Sequence, residues 1–122
     1  MNTKSILLIS SDKDLIEVIK ISALTLTKLN AQVTIEDTLD YETAIQKSKN
    51  VNLDLILIDN DVESIDPIKL VSEFRADLNS KNKKIICLYS NSINRDEIFK
   101  AGCDSIMSKE EFKRVVNNVL VF

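Results

Sequence analysis

Residues 53–75 read LDLILIDNDVESIDPIKLVSEFR, and this stretch decides the fold class. Leu53–Ile58 is apolar except for Asp54, which is typical of a strand that is buried on both faces of a parallel sheet. Asp66 and Pro67 predict a helix start, because aspartate caps a helix and proline fits its first position. Four apolar residues with helical spacing follow: Ile68, Leu70, Val71 and Phe74. A buried strand followed by an amphipathic helix is the repeating unit of an α/β fold.

The same unit recurs on both sides of this stretch. The other predicted strands are Ser5–Ile9, Gln32–Ile35, Lys84–Tyr89 and Ser105–Met107. The helix after the first strand has five apolar residues near a helical period on its inward face, with Ser11 or Asp12 as cap: Leu15, Val18, Ile19, Leu26 and Leu29. The other predicted helices are Asp40–Lys49 with Asp40 as cap, one from a capping box at Asn94 to Gly102, and one from a capping box at Ser108 to Leu120. Five strand–helix pairs predict a doubly wound, five-stranded parallel sheet with helices on both faces. We expect residues 1–122 to form a single domain with no appended output domain.

The composition excludes several functions. The 122 residues are 44% hydrophobic and 29% charged, which suits a globular domain. The chain has no histidine, which excludes a histidine base, a Ser-His-Asp triad and a histidine-ligated metal site. Its single glycine excludes the glycine-rich loops that bind nucleotide phosphates. The net charge of −3 argues against nucleic acid as a partner, and no apolar run is long enough to span a membrane.

The two cysteines, Cys87 and Cys103, form no CxxC pair, and two such residues cannot make a structural zinc site unaided. Without a signal peptide or a disulfide framework, the sequence is typical of a cytoplasmic protein. We therefore expect a cytoplasmic location and two reduced, packed thiols.

Polar residues follow the predicted strands at the edge where a doubly wound sheet carries its function. They are Ser10, Ser11 and Asp12 after the first strand, Asp59, Asn60 and Asp61 after the third, Tyr89, Ser90 and Asn91 after the fourth, and Lys109 after the fifth. A carboxylate that faces a lysine and hydroxyls can accept a phosphoryl group, because the lysine balances the charge on the phosphoryl oxygens. The alternatives are that Asp59 only ends a strand, that Asp12 only caps a helix, and that Lys109 is a solvated charge.

Three segments resemble the receiver domain of bacterial two-component response regulators. They are residues 6–19 (ILLISSDKDLIEVI), residues 53–75, and residues 101–109 (AGCDSIMSK). They are similar to that family's first strand and helix, its acceptor strand and loop, and its fifth strand, without gaps inside each segment. The resemblance implies a CheY-like (βα)5 fold of the flavodoxin-like type, and a role in phosphorelay signal transduction.

The resemblance also implies roles for individual residues. Asp59 matches the phosphoacceptor aspartate, and Lys109 matches the lysine that follows the fifth strand. The hydroxyl position after the fourth strand stays open, since counting from Asp59 favours Tyr89 whereas residue type favours Ser90. Ile106 matches the position where receivers carry an aromatic switch residue, and its side chain has no polar tip.

The acidic pocket departs from the family pattern. Receivers hold Mg²⁺ with two acids after the first strand, and here those positions are Ser10 and Ser11. Asp12 matches a third acid, so Asp59 and Asp12 are the remaining candidate metal ligands. The resemblance therefore implies either no cofactor or weakly bound Mg²⁺. Glu110 replaces the proline that follows the lysine in the family, so we expect a trans peptide bond there.

Two functions remain open at this stage, besides a small ligand-binding domain of flavodoxin-like fold. One is an atypical receiver, or pseudo-receiver, that acts by protein–protein interaction. Its last two helices would contact a protein partner or form a homodimer, although their charges equally suit ordinary solvated faces. The other is a working receiver that a histidine kinase phosphorylates on Asp59. Neither is an enzyme beyond autophosphotransfer to Asp59.

Overall fold

The computed structural model describes residues 2–121. Five strands and five helices alternate along the chain, as the sequence predicts. The strands are β1 (Asn2–Ile9), β2 (Ala31–Thr38), β3 (Leu55–Asp59), β4 (Lys84–Tyr89) and β5 (Ser105–Ser108). The helices are α1 (Lys13–Lys28), α2 (Tyr41–Ser48), α3 (Pro67–Ala76), α4 (Arg95–Ala101) and α5 (Lys109–Leu120).

The strands form one parallel sheet in the order β2-β1-β3-β4-β5, which confirms the predicted fold class. Strand β1 pairs with β2 on one side and β3 on the other, so that Ile6 lies between Ile35 and Leu55. The winding of the chain reverses between these two neighbours. In sheets of this kind the functional crevice lies outside the carboxyl ends of the strands at that reversal.

Two apolar layers sandwich the sheet. Leu7 and Ile9 face the layer that contains Phe74, whereas Ile6 and Leu8 face the layer that contains Phe112. All five residues of β3 are buried, as expected for a central strand of a parallel sheet. The cysteines are both buried and unbridged. In the part of the chain that the structure describes, no helix is long and apolar enough to cross a membrane.

Each helix begins at a side chain that accepts a hydrogen bond from the first turn. The capping residues are Asp12, Asp40, Asp66, Asn94 and Ser108. Four of them are the predicted caps, and Asp12 is the one of the two candidates that caps α1. These caps were predictable because capping depends on contacts within one turn.

Some boundaries differ from the prediction. Strands β1 and β2 pair over eight residues each and are longer than predicted, while β3 begins at Leu55 and includes Asp59. The prediction that Leu29 points inward was wrong. Leu29 is 70% exposed because α1 ends at Lys28 and Leu29 is its C-cap residue.

Gly102 ends α4 with a φ of 122°, in the region that favours glycine. A Cβ atom at this position would lie 2.5 Å from Cγ of Arg75. The guanidinium of Arg75 donates to the carbonyls of Gly102, Lys81 and Lys83, and pairs with Asp104. Arg75 therefore ties α3 to the start of β4 and to the loop before β5.

We expect Gly102→Ala to lower the free energy of unfolding by about 1–3 kcal/mol, because both the positive φ and Arg75 oppose a side chain. Urea denaturation followed by far-UV circular dichroism measures this change. The penalty should be smaller in an Arg75→Ala background, where only the backbone conformation opposes alanine. Equal penalties in both backgrounds would show that crowding against Arg75 has no part in the effect.

Candidate functional site

Three carboxylates surround the ammonium group of Lys109 at the carboxyl edge of the sheet. Nζ of Lys109 lies 3.1 Å from Oδ2 of Asp12, 3.0 Å from Oδ2 of Asp59 and 3.0 Å from Oδ2 of Asp61. Lys109 is 6% exposed and Asp59 is 3% exposed, so the central ion pair is shielded from water. We call these four residues the carboxylate–lysine cluster.

The fold brings the cluster together from three places in the chain. Asp59 is the last residue of the buried strand β3, and Lys109 is the first residue of α5, directly after β5. Asp12 caps α1 through Oδ1, which accepts from the N–H of Leu15 at 3.1 Å and leaves Oδ2 for Lys109. Asp12 therefore caps α1 and also contacts Lys109. The peptide bond after Lys109 is trans, as expected.

Ser10 belongs to the site, whereas Ser11 is exposed beside it. The buried Oγ of Ser10 donates to Oδ2 of Asp59 at 2.6 Å and accepts from the N–H of Asp12 at 3.0 Å. The serine that replaces the first acid of the receiver pattern is therefore a neutral hydrogen-bond partner of Asp59.

Asp61 is the cluster residue that the sequence analysis left without a role. Its N–H donates to Oδ1 of Asp59 at 2.9 Å, and its Oδ2 accepts from the N–H of Ser90 at 2.8 Å. Asp61 thereby connects the loop after β4 to Asp59 and Lys109. Its position two residues after a strand-end carboxylate was the available signal, but the resemblance assigned nothing to it.

Among the described residues, neither candidate hydroxyl at the end of β4 has a hydrogen bond to the cluster. The hydroxyl oxygen of Tyr89 accepts from Arg95 at 2.6 Å, and the guanidinium carbon of Arg95 lies 5.3 Å from the centre of the tyrosine ring. Ser90 is exposed and contacts the cluster through its backbone N–H. Ile106 is partly buried against the apolar layer that contains Phe74. The choice between Tyr89 and Ser90 for the hydroxyl position of the receiver pattern stays a prediction.

The cluster stabilises the charged forms of Asp12, Asp61 and Lys109. Burial opposes ionisation of Asp61, but hydrogen bonds from Lys109 and from the N–H of Ser90 outweigh it and hold its pKa below the usual value. For Asp12, burial is likewise outweighed by the N–H of Leu15 and by Lys109, so its pKa is also lowered. Burial alone would lower the pKa of Lys109, but the three carboxylates raise it above its usual value.

The residues present do not fit a bound Mg²⁺. The ammonium of Lys109 occupies the space between the three carboxylates, and both oxygens of Asp59 already accept hydrogen bonds. Among residues 2–121, no three acidic or cysteine side chains are arranged to hold a metal ion. The predicted ligands Asp59 and Asp12 are brought together, but around an ammonium, which a divalent cation would have to displace.

No protein-family model matches the chain, and the search of curated proteins finds no match. Several solved structures of other proteins have a fold similar to that of this chain. One is the receiver domain of a sensor histidine kinase from Pseudomonas aeruginosa with Mg²⁺ in its active-site cleft (22% identity, 97% of this chain and 94% of that chain, TM-score 0.78). Another is the phosphorylated cyanobacterial phytochrome response regulator RcpA (18% identity, 96% and 91%, TM-score 0.79).

A third similar structure is a CheY-like receiver domain protein from Methanospirillum hungatei (17% identity, 97% of this chain and 90% of that chain, TM-score 0.76). These neighbours are response regulator receiver domains. They confirm the predicted receiver fold over nearly the whole chain.

We expect Lys109→Met to lower the free energy of unfolding by about 3–5 kcal/mol, because it leaves three converging carboxylates without a counterion. Mg²⁺ should then raise the melting temperature of this variant more than that of the unsubstituted protein, since the space between the carboxylates becomes free. Differential scanning calorimetry with and without Mg²⁺ measures both effects.

The matched control is Lys113→Met, which removes a more exposed lysine of the same helix that pairs with Asp14. We expect this control to change stability by less than about 1 kcal/mol and to show no response to Mg²⁺. Similar losses in the two variants would contradict a central role for Lys109.

Proposed function

We propose that this chain is a receiver-like signalling domain of the two-component type, cytoplasmic in location, that works through protein–protein contact with weak or no Mg²⁺-dependent phosphorylation. One observation carries the proposal: the ammonium of Lys109 lies within 3.1 Å of three carboxylates, including that of Asp59, so a divalent cation would have to compete with it for these oxygens. Lys109 supplies the positive charge of the site, and three carboxylates already share that charge.

Electrostatics favours this proposal. Phosphoryl transfer depends on positive charge at the transferring group, which a metal ion normally supplies. On Asp59, a phosphoryl group of about −2 would adjoin the carboxylates of Asp12 and Asp61 as well as one ammonium. Two unit charges 4 Å apart interact by about 4 kcal/mol at an effective dielectric of 20. Two carboxylates therefore oppose the phosphoryl charge more strongly than Lys109 alone favours it.

The residues that transmit phosphorylation in receivers also favour a fixed conformation here. The hydroxyl of Tyr89 is engaged by Arg95, and Ile106 lacks a polar group that prefers water in one state and a partner in another. A domain with a fixed conformation recognises its partner by a preformed surface. The last two helices remain a candidate for that surface and for a homodimer.

A second candidate function is a working phosphoacceptor that a histidine kinase phosphorylates on Asp59. The contact of 3.0 Å between Asp59 and Lys109 favours it, because this pair is what the receiver resemblance requires. Weak Mg²⁺ at Asp59 and Asp12 would then have to shift the ammonium. The protein partner is a histidine kinase in this case, and a downstream signalling protein in the first.

Incubation with acetyl phosphate, with and without Mg²⁺, tests the proposal by the intact mass of the folded protein. We expect little or no phosphoryl adduct, while a competent receiver in the same reaction becomes fully labelled. A Mg²⁺-dependent adduct as extensive as that of the competent receiver, and absent from Asp59→Asn, would reject the proposal and establish the second candidate.

A gain-of-function variant tests the cause. We expect Ser10→Asp with Ser11→Asp to introduce Mg²⁺ binding, because the two substitutions add carboxylates beside Asp59. Isothermal titration with Mg²⁺ measures this gain, and Ser90→Asp, an exposed serine at the same edge, is the matched control. Equal affinity in both variants would show that general negative charge, rather than the missing acid pair, controls metal binding.

A further inference from the structure

Strand β2 is an edge strand with an unusually open backbone. It has eight residues, about 26 Å in length, whereas strands average five or six residues. Its register with β1 runs without interruption from Ala31 to Thr38, so no bulge bends it away. Its sequence, AQVTIEDT, has no lysine or proline, and its two charged residues, Glu36 and Asp37, lie near its carboxyl end. Among the described residues it pairs only with β1.

An apolar groove runs beside this edge. It has a volume of about 320 Å³ and is lined by Lys20, Ala23, Leu24, Thr27, Val33 and Ile35. Leu24 is 66% exposed, and Ile21, one turn earlier on α1, is 55% exposed. Exposed apolar side chains beside a strand edge with unpaired backbone groups are typical of a surface that binds another protein.

We propose that the chain forms a homodimer in which two copies of β2 pair antiparallel about a twofold axis at Thr34. Thr34 then lies opposite Thr34 of the second copy, and Val33 lies opposite Ile35 of that copy. The pairing satisfies the outer backbone groups of both strands and continues one sheet through ten strands, five from each copy.

The charges of β2 fit this register. Glu36 lies opposite Gln32 of the second copy, and Asp37 lies opposite Ala31, so no acid faces an acid. Lys28, the last residue of α1, precedes Ala31 by three residues in the chain, so the register places the segment that carries Lys28 of the second copy at the end of the strand where Asp37 lies. Within its own chain Asp37 already pairs with Lys20 at 3.1 Å. The register therefore combines apolar contact at its centre with complementary charge at its ends.

Other arrangements of two copies fit less well. A parallel pairing in register would place Glu36 and Asp37 against their own copies, and like charges that face each other across strands are destabilising. A twofold axis perpendicular to the sheet keeps both α1 helices on one face. Leu24, which lines the groove with Val33 and Ile35, then lies near the axis beside Leu24 of the second copy.

Charge substitution at the axis tests the dimer. Thr34 is exposed, so Thr34→Glu and Thr34→Lys should each leave the fold intact while placing like charges opposite each other. By sedimentation velocity we expect a dimer for the unsubstituted protein and a dissociation constant at least about tenfold higher for either variant. An equimolar mixture of the two variants should restore the dimer, because opposite charges then meet at the axis.

Two controls make the test specific. Leu78→Glu changes an exposed apolar residue in the loop after α3 and should leave the dimer unchanged. Phe99→Glu changes an exposed residue of α4 and probes the last two helices instead. A monomer at every accessible concentration, a mixture that fails to associate, or a dimer lost only in Phe99→Glu would each overturn the proposal. None of these outcomes depends on phosphorylation of Asp59, so the proposed function is tested separately.

Discussion

The contact between the ammonium of Lys109 and three carboxylates is the constraint on which the rest of the site depends. Removing a charged group from water costs several kcal/mol, and a buried ion pair is stable only when its remaining polar atoms are also satisfied. Here that condition is met by groups from separate elements. Ser10, the N–H of Asp61 and the N–H of Ser90 all donate to the carboxylates. The ends of β1, β3 and β4 are therefore tied to the start of α5 by one polar network.

The same network accounts for the chemistry that the site favours. A receiver needs a carboxylate that is free to attack phosphorus and a cation that is free to neutralise the product. In this chain the oxygens of Asp59 are already hydrogen-bonded, and the charge of Lys109 is shared with Asp12 and Asp61. An arrangement that stabilises the unphosphorylated pocket so well opposes the addition of further negative charge. The hydrogen bonds and ion pairs of the pocket already use the oxygens of Asp59 and the ammonium of Lys109. Phosphoryl transfer would need the same atoms.

Local rules predicted most of the fold and part of the site. Helix caps such as Asp66 follow from contacts within one turn, and a run such as Leu53–Ile58 can be buried in few other ways. Strand-end position brought Asp59 and Lys109 onto one list of candidates before any resemblance was used. Asp61 was on the same list, but strand-end position could not show that its side chain turns back to Lys109 while its N–H donates to Asp59. The exposure of Leu29 was missed because its spacing fits the helix that ends just before it.

Under the proposed function, a pocket that is closed by its own ion pairs leaves recognition to the surface of the domain. Once Tyr89 is bound by Arg95 and Ile106 has no polar group to exchange, little in the pocket can report a change of state to the outer helices. Specificity then has to reside in features that are present at all times. The open edge of β2 is such a feature, since its backbone groups and the apolar side chains of α1 are exposed whatever happens at Asp59. The two edge strands of the sheet therefore have different surroundings. Strand β5 leads into the charged pocket through Lys109, whereas β2 has unpaired outer backbone groups with which a second copy can pair.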